Sequence, residues 1–374
     1  MKLKQIREGK VKLFVPDVAI PEHGKGIGFY NPAMLVDRNI SVCAVCVFTK
    51  RFRERYSREP RLCDALSATG VRALRYRIES GVSRVLANDV NERAAELIER
   101  NTKLNKANIE IANKDANVLL SERRFDIIDI DPFGSPAQFI DAAARSLSKF
   151  SLLMVTATDT ATLYGKYTEC CRRRYFANSY PFFERELGVR ILISFIIREL
   201  AKYNLCFTPV LSYTRRHYLR VFGIVEKSSS KVNEVLSAFK PLYCTQTEWR
   251  SSPFEGARYV GEIYLGRLHE KNVCREIRDE MLKRGMEGSE ILERVMEEIE
   301  QPFYYDLPKI ASSLRVNLPK ISEVIRSLRA RGYSASRTVF SQCAVKSDAG
   351  IDEVKKALSN PSLSPSTTSE RRRA

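Results

Sequence analysis

The stretch Ile128-Asp-Ile-Asp-Pro-Phe-Gly-Ser-Pro136 decides the expected fold of this chain. Its β-branched apolar residues are typical of a buried strand, and Pro132 and Gly134 stop that strand directly after Asp131. The strand therefore delivers a carboxylate to a rigid turn, with the ring of Phe133 two residues further on. Such a turn holds a hydrogen-bond acceptor beside a ring that can stack on a planar base.

Short apolar runs that end in Asp alternate with longer amphipathic stretches along the first part of the chain. This alternation predicts an α/β fold, in which helices cover both faces of a parallel sheet. The predicted strands are Leu62–Asp64, Ser83–Asp89, Ile109–Asn113, Phe125–Asp131 and Ser151–Thr156. The predicted helices are Gly70–Glu79, Asn91–Asn105 and Leu187–Tyr203, and a strand pair at Leu205–Thr214 and Tyr218–Val225 closes the sheet.

The sheet domain is predicted to span residues 59–226. Residues 1–58 are predicted to form a lead-in structure packed on it. That structure contains a strand pair around Val11–Val15, a glycine-rich loop at His23–Gly28 and a helix over Met34–Phe48. A serine-rich linker at Ser228–Lys231 is expected to lead away from the sheet.

A C-terminal α+β domain is predicted for residues 227–358. It contains the succession helix, turn, helix, strand, which is typical of a winged-helix-like element. The first helix begins at Ile310, Pro319 introduces the second, Gly332 ends it, and the strand covers Ala335–Phe340. Residues 359–374 are rich in Ser, Pro and Thr and are predicted to be a disordered tail.

The charge of the chain predicts a polyanionic partner. Sixty-two Lys and Arg against 45 Asp and Glu give a net charge of +17 over 374 residues. Nucleic acid is favoured over a membrane surface, because no strongly amphipathic basic anchor helix stands out; a generally basic proteome is the alternative. No apolar signal core and no run of about 18 uncharged apolar residues is present. We therefore expect a cytoplasmic protein with no membrane partner, and no obligate protein partner is evident.

The nine cysteines are expected to be reduced thiols, because their number is odd and no signal peptide is evident. Cys43-Ala-Val-Cys46 is a CxxC motif without a second pair at zinc-ribbon spacing, and the chain has three His. Free Cys is commonly buried as a small apolar residue. We therefore predict that Cys43 and Cys46 are buried and that the chain has no metal site.

A cofactor site is predicted at Asp64-Ala-Leu-Ser-Ala-Thr-Gly70, where a strand passes into a helix. Small residues allow close approach of a ligand, but the loop lacks the GxGxxG pattern that holds a pyrophosphate. It suits S-adenosylmethionine, with Asp64 near the ammonium group. Asp89 ends the next strand and can accept both ribose hydroxyls, and Asp115-Ala116 follows the third strand and can accept the adenine amine. Any one such Asp can also be a turn or cap residue, but the four in register, Asp131 included, favour a nucleoside cofactor.

Asp131 is the candidate catalytic carboxylate. An exocyclic base amine is a poor nucleophile because its lone pair is delocalised into the ring. A carboxylate and the Pro132 carbonyl that accept its N–H groups localise the lone pair, so that catalysis is mostly alignment. Asp131 is then also the eventual proton acceptor, and stacking on Phe133 contributes about 1–3 kcal/mol. The alternative for Asp131 is an ordinary strand-end turn.

These motifs resemble those of the tRNA (guanine-26-N2)-dimethyltransferase family, and the resemblance extends from about residue 5 to about residue 350. The matching N-terminal and sheet motifs are Phe29-Tyr-Asn-Pro32, Asp37-Arg38, Asp64-Ala-Leu-Ser-Ala-Thr-Gly-Val-Arg72, Asn88-Asp89, Asp115-Ala116, Asp129-Ile-Asp-Pro-Phe-Gly-Ser-Pro136 and Thr156-Ala-Thr-Asp159. The matching C-terminal motifs are Phe303-Tyr-Tyr-Asp306 and Gly332-Tyr-Ser-Ala-Ser-Arg-Thr338.

The resemblance implies a Rossmann-like class I methyltransferase domain and transfer of two methyl groups to N2 of guanine 26 in tRNA. It implies that Asp131 is the catalytic carboxylate and that Phe29 and Phe133 sandwich the guanine. It further implies an S-adenosylmethionine site lined by Arg38, Arg72, Asp89, Asp115 and Ala116.

Two basic segments each allow two interpretations. Arg172-Arg-Arg-Tyr-Phe176 interleaves charge with aromatic rings and is either a phosphate-binding loop or a solvated charge run. The C-terminal helix stripe is flanked by basic residues, which suit RNA backbone contacts or a structural role. These are Lys320, Arg326, Arg329 and Arg331.

Two other functions stay open from the residues alone. The Asp-Pro-Phe-Gly core also suits an amine methyltransferase that acts on DNA adenine or on ribosomal RNA guanine. A non-catalytic RNA-binding protein with a decayed transferase fold is the second, although intact Asp131 and Asp89 argue against it.

Overall fold

The computed structural model describes residues 2–17 and 29–360. The predicted glycine-rich loop at His23–Gly28 and nearly all of the predicted disordered tail lie outside these residues. The strands of the N-terminal and sheet regions are β1 (Leu3–Glu8), β2 (Val11–Pro16), β3 (Arg61–Asp64), β4 (Arg84–Asn88), β5 (Glu110–Ala112), β6 (Phe125–Ile130), β7 (Leu147–Ala157), β8 (Leu205–Arg215) and β9 (Tyr218–Lys227). The helices there are α1 (Leu35–Tyr56), α2 (Val71–Glu79), α3 (Glu92–Leu104), α4 (Ala116–Glu122), α5 (Ala137–Ser146), α6 (Thr160–Leu163), α7 (Thr168–Tyr175) and α8 (Glu184–Ala201).

The central sheet has seven strands within the described residues, in the order β5-β4-β3-β6-β7-β9-β8. β3 to β7 are parallel to one another, whereas β9 is antiparallel to both β7 and β8. The chain leaves β3 toward β5 and then returns to β6 on the other side of β3. This reversal creates a crevice at the carboxyl ends of β3 and β6, where ligands of such sheets bind. The predicted α/β fold with a closing strand pair is confirmed.

Two apolar layers cover the sheet. One contains residues of α5 and α8, and the other contains residues of β2, α1 and α2. The stretch Pro32–Tyr56 is long and apolar enough to cross a membrane, but the protein itself buries 78% of the apolar 18-residue window within it. Because α1 also holds Asp37 and Arg38 in buried positions, it is packed as a core helix. Cys43 and Cys46 on α1 are buried as predicted.

The remainder of the chain adds a second sheet and a third core. Its elements are α9 (Ser229–Ser237), β10 (Phe239–Cys244), β11 (Trp249–Arg250), β12 (Arg258–Tyr264), α10 (Lys271–Lys283), α11 (Ser289–Glu297), β13 (Tyr305–Asp306), α12 (Leu307–Leu314), α13 (Ile321–Ala330), β14 (Ala335–Arg337), β15 (Ala344–Ser347) and α14 (Ile351–Ser359). The prediction of a linker at Ser228–Lys231 is wrong, because the Ser228 side chain caps α9 by accepting from the Lys231 N–H. Serine runs favour helix N-termini as much as linkers.

The three apolar cores do not follow the predicted segments one to one. Residues of β10, β12 and Phe303 join the core around α8, and residues of α10 and α11 join the core around α1. A separate core begins at Leu307 and unites α12, α13 and α14. The two predicted helices are observed, and the predicted strand is shorter and pairs with β15. The segment boundaries and the winged-helix-like element stay predictions.

Candidate active site

The turn after β6 is fixed to the end of β7. Gly134 has φ of +86°, in the left-handed region that glycine adopts without strain. Its N–H donates to the Thr158 hydroxyl at 2.6 Å, and the Thr158 N–H donates to the Gly134 carbonyl at 2.9 Å. The Phe133 ring, between this anchor and the strand, is 55% exposed. The turn thus presents an apolar ring to solvent from a rigid backbone.

Asp131 is held by one buried guanidinium. Arg72 on α2 donates from Nε to Asp131 Oδ2 at 2.7 Å. The Arg72 side chain is 6% exposed and that of Asp131 is 21% exposed. Among the described residues, no other side chain or backbone group is hydrogen-bonded to this carboxylate. Its Oδ1 is therefore available to an incoming N–H group.

Beneath the turn lies a set of five charges that we term the turn cluster: Asp37, Arg72, Asp129, Asp131 and Arg220. Arg72 pairs with Asp37 at 2.5 Å, and Arg220 pairs with Asp129 at 2.7 Å. Two tyrosine hydroxyls donate further hydrogen bonds to these carboxylates. Tyr76 donates to Asp129 at 2.6 Å, and Tyr213 donates to Asp37 at 2.7 Å. Burial disfavours the charge of Asp37, but Arg72 and Arg220 hold its pKa below its usual range.

The sequence interpretation did not include Asp37, Asp129 or Arg220 among the site residues. A signal was present, because Asp129 and Arg220 are charged residues within largely apolar strands. A buried charge must be paired, so an acid and a base in two core strands indicate a contact between those strands. The turn cluster contains three carboxylates and two guanidiniums, which leaves it with an excess of negative charge.

Asp64 adds a further buried carboxylate beside the turn cluster. Its Oδ2 accepts the Ala73 N–H at 3.1 Å, whereas its Oδ1 is buried without a hydrogen-bond partner among the described residues. Burial, together with the charge of Asp129, raises the pKa of Asp64 to about 7. In the same loop the Thr69 hydroxyl is also buried and unpartnered. Unsatisfied buried polar atoms indicate a missing partner, and a cationic donor such as an ammonium group fits Asp64.

Asp89 and Asp115 lie at the predicted edge of the sheet but bind backbone groups in this structure. Asp89 accepts the N–H groups of Ala68 and Asn91, both at 2.9 Å. Asp115 caps α4 by accepting from Asn117 at 2.8 Å, and Ala116 behind it is buried. Asp89 therefore fixes the loop that begins at Asp64, and both carboxylates keep the turn and cap contacts that strand-end Asp residues commonly make.

Arg38 is joined to the N-terminal hairpin rather than to the strand-end carboxylates. It donates from Nε to Glu8 at 2.6 Å and from a terminal nitrogen to the Asn31 carbonyl at 3.1 Å. Tyr30 also donates to Glu8, at 2.7 Å, and burial and the Glu8 charge raise the pKa of Tyr30 to about 12. These bonds fix the segment that follows Phe29. The predicted contact of Arg38 with the cofactor stays a prediction.

The Phe29 and Phe133 rings touch each other. Their centroids are 4.7 Å apart and their planes are at 85°, an edge-to-face contact. A base cannot lie between two rings in this arrangement. The predicted sandwich therefore requires one ring to turn or move when the base enters.

The residues at this edge suit S-adenosylmethionine, whose sulfonium and ammonium groups are both cationic. The excess of carboxylates in the turn cluster and the unpartnered Oδ1 of Asp64 complement these charges. Together with the exposed Phe133 ring, the edge can hold a positively charged nucleoside next to a planar base. No group of three or more His, Cys, Asp or Glu side chains suited to a metal ion occurs in the described ranges.

Comparisons with known proteins identify the same chemistry. The family model described as N2,N2-dimethylguanosine tRNA methyltransferase matches residues 9–359. The tRNA (guanine(26)-N(2))-dimethyltransferase of Methanosphaera stadtmanae is 33% identical over 94% of this chain and 96% of its own length. The enzyme of the same name from Thermococcus kodakarensis is 35% identical over 96% of this chain and its full length. The structure of Trm1 from Pyrococcus horikoshii in complex with S-adenosyl-L-methionine has a TM-score of 0.85 and 31% identity, covering 95% of this chain and all of that one.

Proposed function

This chain belongs to the N2,N2-dimethylguanosine tRNA methyltransferase family, and we propose that it transfers two methyl groups from S-adenosylmethionine to N2 of guanine 26 in tRNA. The observation that carries this proposal is the Asp131 carboxylate at the carboxyl edge of β6. It is fixed by buried Arg72 through one oxygen and adjoins an exposed aromatic ring. These are the parts that methylation of a base amine requires.

We propose that Asp131 and the Pro132 carbonyl accept the two N–H groups of the guanine amine. Arg72 fixes Oδ2 of Asp131 at 2.7 Å, so that Oδ1 is presented in one orientation. The cofactor supplies a methyl group already activated by its sulfonium charge. Alignment of the amine is therefore the main contribution of the protein.

Asp131 is also the proposed proton acceptor. The amine gains a bond to carbon and must lose one proton in each transfer, and the carboxylate that accepts its N–H is placed to take that proton. After the first transfer the nitrogen retains one N–H, which Asp131 can still orient. The same carboxylate therefore serves both methylations.

The proposed cofactor site consists of Arg38, Asp64, Arg72, Asp89, Asp115 and Ala116. Its best-supported contact is between the ammonium group and Oδ1 of Asp64, because that atom is buried without a partner. Asp89 and Asp115 can each accept further hydrogen bonds, since a carboxylate has about four lone-pair sites. The proposed contacts with the ribose and the adenine use this capacity.

The proposed substrate is tRNA, and the target base must leave its stack to reach Asp131. Phe29 and Phe133 are proposed to open and enclose the guanine. The net charge of +17 supports a polyanionic substrate. Residues 227–358 are proposed as the RNA-binding domain. We place the protein in the cytoplasm, without a membrane or an obligate protein partner.

The test is methylation of an unmodified tRNA transcript. The full chain is incubated with the transcript and labelled S-adenosylmethionine, and the RNA is digested to nucleosides. We expect N2-methyl- and N2,N2-dimethylguanosine, and none from a transcript with adenine at position 26. Absence of both products from the guanine transcript overturns the proposal.

A further inference from the structure

Phe176 has an unusual conformation for an aromatic residue. It follows the last residue of α7 with φ of 57° and ψ of 30°, the left-handed region in which glycine or asparagine usually ends a helix. Phe176 is 65% exposed, and its ring centroid lies 6.2 Å from that of the buried Phe195. The strained backbone does not stabilise the fold, and most of the residue lies outside the core. An aromatic residue at this place therefore indicates a role outside the core.

The end of α7 is bonded to the catalytic turn. Tyr175, which precedes Phe176, is buried, and its hydroxyl lies 2.6 Å from the Ser135 hydroxyl in the turn that follows Asp131. The same hydroxyl donates to Asp159 and lies 3.0 Å from each of its two carboxylate oxygens. Phe176 is thus held in a fixed relation to the site where the base is methylated.

Exposed cations precede Phe176 on α7, and β12, which is bonded to the segment after Phe176, carries a second exposed ring. Arg172 forms an ion pair with Glu169, and Arg174 forms one with Asp159. Arg173 forms none with the described residues. On the other side, the Asn178 N–H donates to the Val260 carbonyl at 2.7 Å, which joins this segment to β12. β12 presents Arg258 and Tyr259, whose ring is 42% exposed. We define the α7 strip as Arg173, Phe176, Arg258 and Tyr259.

We propose that the α7 strip binds the RNA strand next to the target guanine, with Phe176 stacked on a neighbouring unpaired base and Arg173 and Arg258 on phosphates. Exposed rings alternating with arginines are the pattern that single-stranded nucleic acid requires. The direct bond from Tyr175 to the catalytic turn assigns this strip to the flank of the flipped base. This inference rests on the proposed function, since it names the substrate contact of the same site.

Phe176→Gly tests the stacking contact without endangering the fold. Glycine adopts positive φ freely, so we expect the thermal midpoint of the variant to match or exceed that of the wild type. Binding of an unmodified tRNA transcript should weaken about tenfold, which corresponds to about 1.4 kcal/mol. Affinity for S-adenosylmethionine should not change, and Phe176→Tyr should retain tRNA binding. Leu282→Ala is the matched control, because Leu282 is 55% exposed on α10, against the opposite face of the sheet.

Arg173→Gln tests the phosphate contact through the salt dependence of binding. Loss of one contact should reduce the slope of log affinity against log salt by about 0.7 to 0.9, whereas Arg275→Gln on α10 should leave it unchanged. Wild-type affinity in Phe176→Gly, or an unchanged slope in Arg173→Gln, overturns the inference and leaves a protein-binding surface instead. Because binding is measured without turnover, failure of the wild type to methylate tRNA overturns the proposed function alone.

Discussion

Two buried charge clusters in this protein differ in their balance of charge: one has an excess of carboxylates and the other is balanced. The turn cluster beneath Asp131 holds three carboxylates and two guanidiniums, with the unpartnered Oδ1 of Asp64 beside it. The second, which we term the latch cluster, consists of Glu186, Arg190, Glu298 and Lys346. It holds two carboxylates and two cations.

The latch cluster joins the C-terminal part of the chain to α8. Lys346 on β15 pairs with Glu298 at 2.6 Å and with Glu186 at 3.1 Å, and Glu186 also accepts the Phe303 N–H at 2.8 Å. Burial and the charge of Lys346 lower the pKa of nearby His269 to about 3, which keeps its ring neutral. Balanced buried charges therefore hold structure together. An excess of one sign at the carboxyl edge of a sheet indicates a ligand of the other sign.

Asp131→Ala should give the largest effect on activity. Removal of the acceptor should lower the methylation rate about 10²- to 10⁴-fold, the usual contribution of a positioned acid or base. The variant should bind S-adenosylmethionine nearly as the wild type does, because Asp64 and the rest of the edge remain. Initial rates on tRNA and calorimetric titration of the cofactor measure the two quantities. Asp352→Ala on the exposed side of α14 is the matched control; a wild-type rate for Asp131→Ala refutes the assigned role.

Lys346→Met should separate stability from cofactor binding. It leaves Glu298 without its buried cation, and breaking a buried pair costs about 3–5 kcal/mol. The free energy of unfolding in urea should fall accordingly, while the folded variant keeps wild-type affinity for S-adenosylmethionine. Lys355→Met, which removes an exposed pair with Asp352, should leave stability unchanged. A large loss of cofactor affinity in Lys346→Met would show that the two clusters are not independent.

Much of the fold was predictable because its signals are local. A strand that ends in Asp before small residues predicts both the strand and its functional edge, and Asp64, Asp89 and Asp131 all lie there. A charge inside each of two core strands signals that it needs a partner. It does not identify Arg220 as the partner of Asp129, because the two residues are 91 positions apart and a single sequence does not state which strands are neighbours. The prediction of a linker at Ser228 failed because serine is common both in linkers and at helix N-termini, where it caps the helix.

The sequence predicts candidate residues for the site but not their present arrangement. The motif that contains Phe133 predicts a stacking ring, yet it does not predict that the Phe29 ring lies against it at 4.7 Å. Likewise, Arg38 and Arg72 were assigned to the cofactor by resemblance. Their partners in this structure, Glu8 and Asp131, lie 30 and 59 residues away along the chain. Such contacts depend on tertiary packing rather than on local pattern.

Cofactor affinity should depend on pH through Asp64. Burial and the Asp129 charge raise its pKa to about 7, so the carboxylate is mostly protonated at pH 6 and mostly ionised at pH 8. Only the ionised form attracts an ammonium group, and its population increases about tenfold over this range. Affinity for S-adenosylmethionine should therefore rise about tenfold from pH 6 to pH 8, as measured by titration calorimetry. Asp64→Asn should bind more weakly with a flat profile; a flat profile in the wild type contradicts the predicted contact.

The raised pKa of Asp64 also predicts a smaller effect on stability. Stability should fall as pH rises, whereas cofactor affinity should increase. Because the folded-state pKa of Asp64 lies above its ordinary value of 3.8, the folded protein holds this proton more tightly than the unfolded chain does between about pH 4 and pH 7. Asp64 therefore contributes a loss of stability as pH rises through that window. The unfolding free energy of Asp64→Asn minus that of the wild type should accordingly be larger at pH 7 than at pH 5.

Thr158→Val should give the smallest effect on the methylation rate. This effect should arise at the turn that carries Asp131. The variant loses the hydroxyl that accepts the Gly134 N–H at 2.6 Å, and one such hydrogen bond stabilises a protein by about 0.5–1.5 kcal/mol. Because the Thr158 N–H still donates to the Gly134 carbonyl, the turn should loosen without unfolding. Methylation should slow several-fold while cofactor affinity and the latch cluster are unaffected. A variant with wild-type rate and lower stability would show that Thr158 supports the fold alone; a lower rate at nearly wild-type stability would show that the rigidity of the Asp131 turn is itself part of alignment.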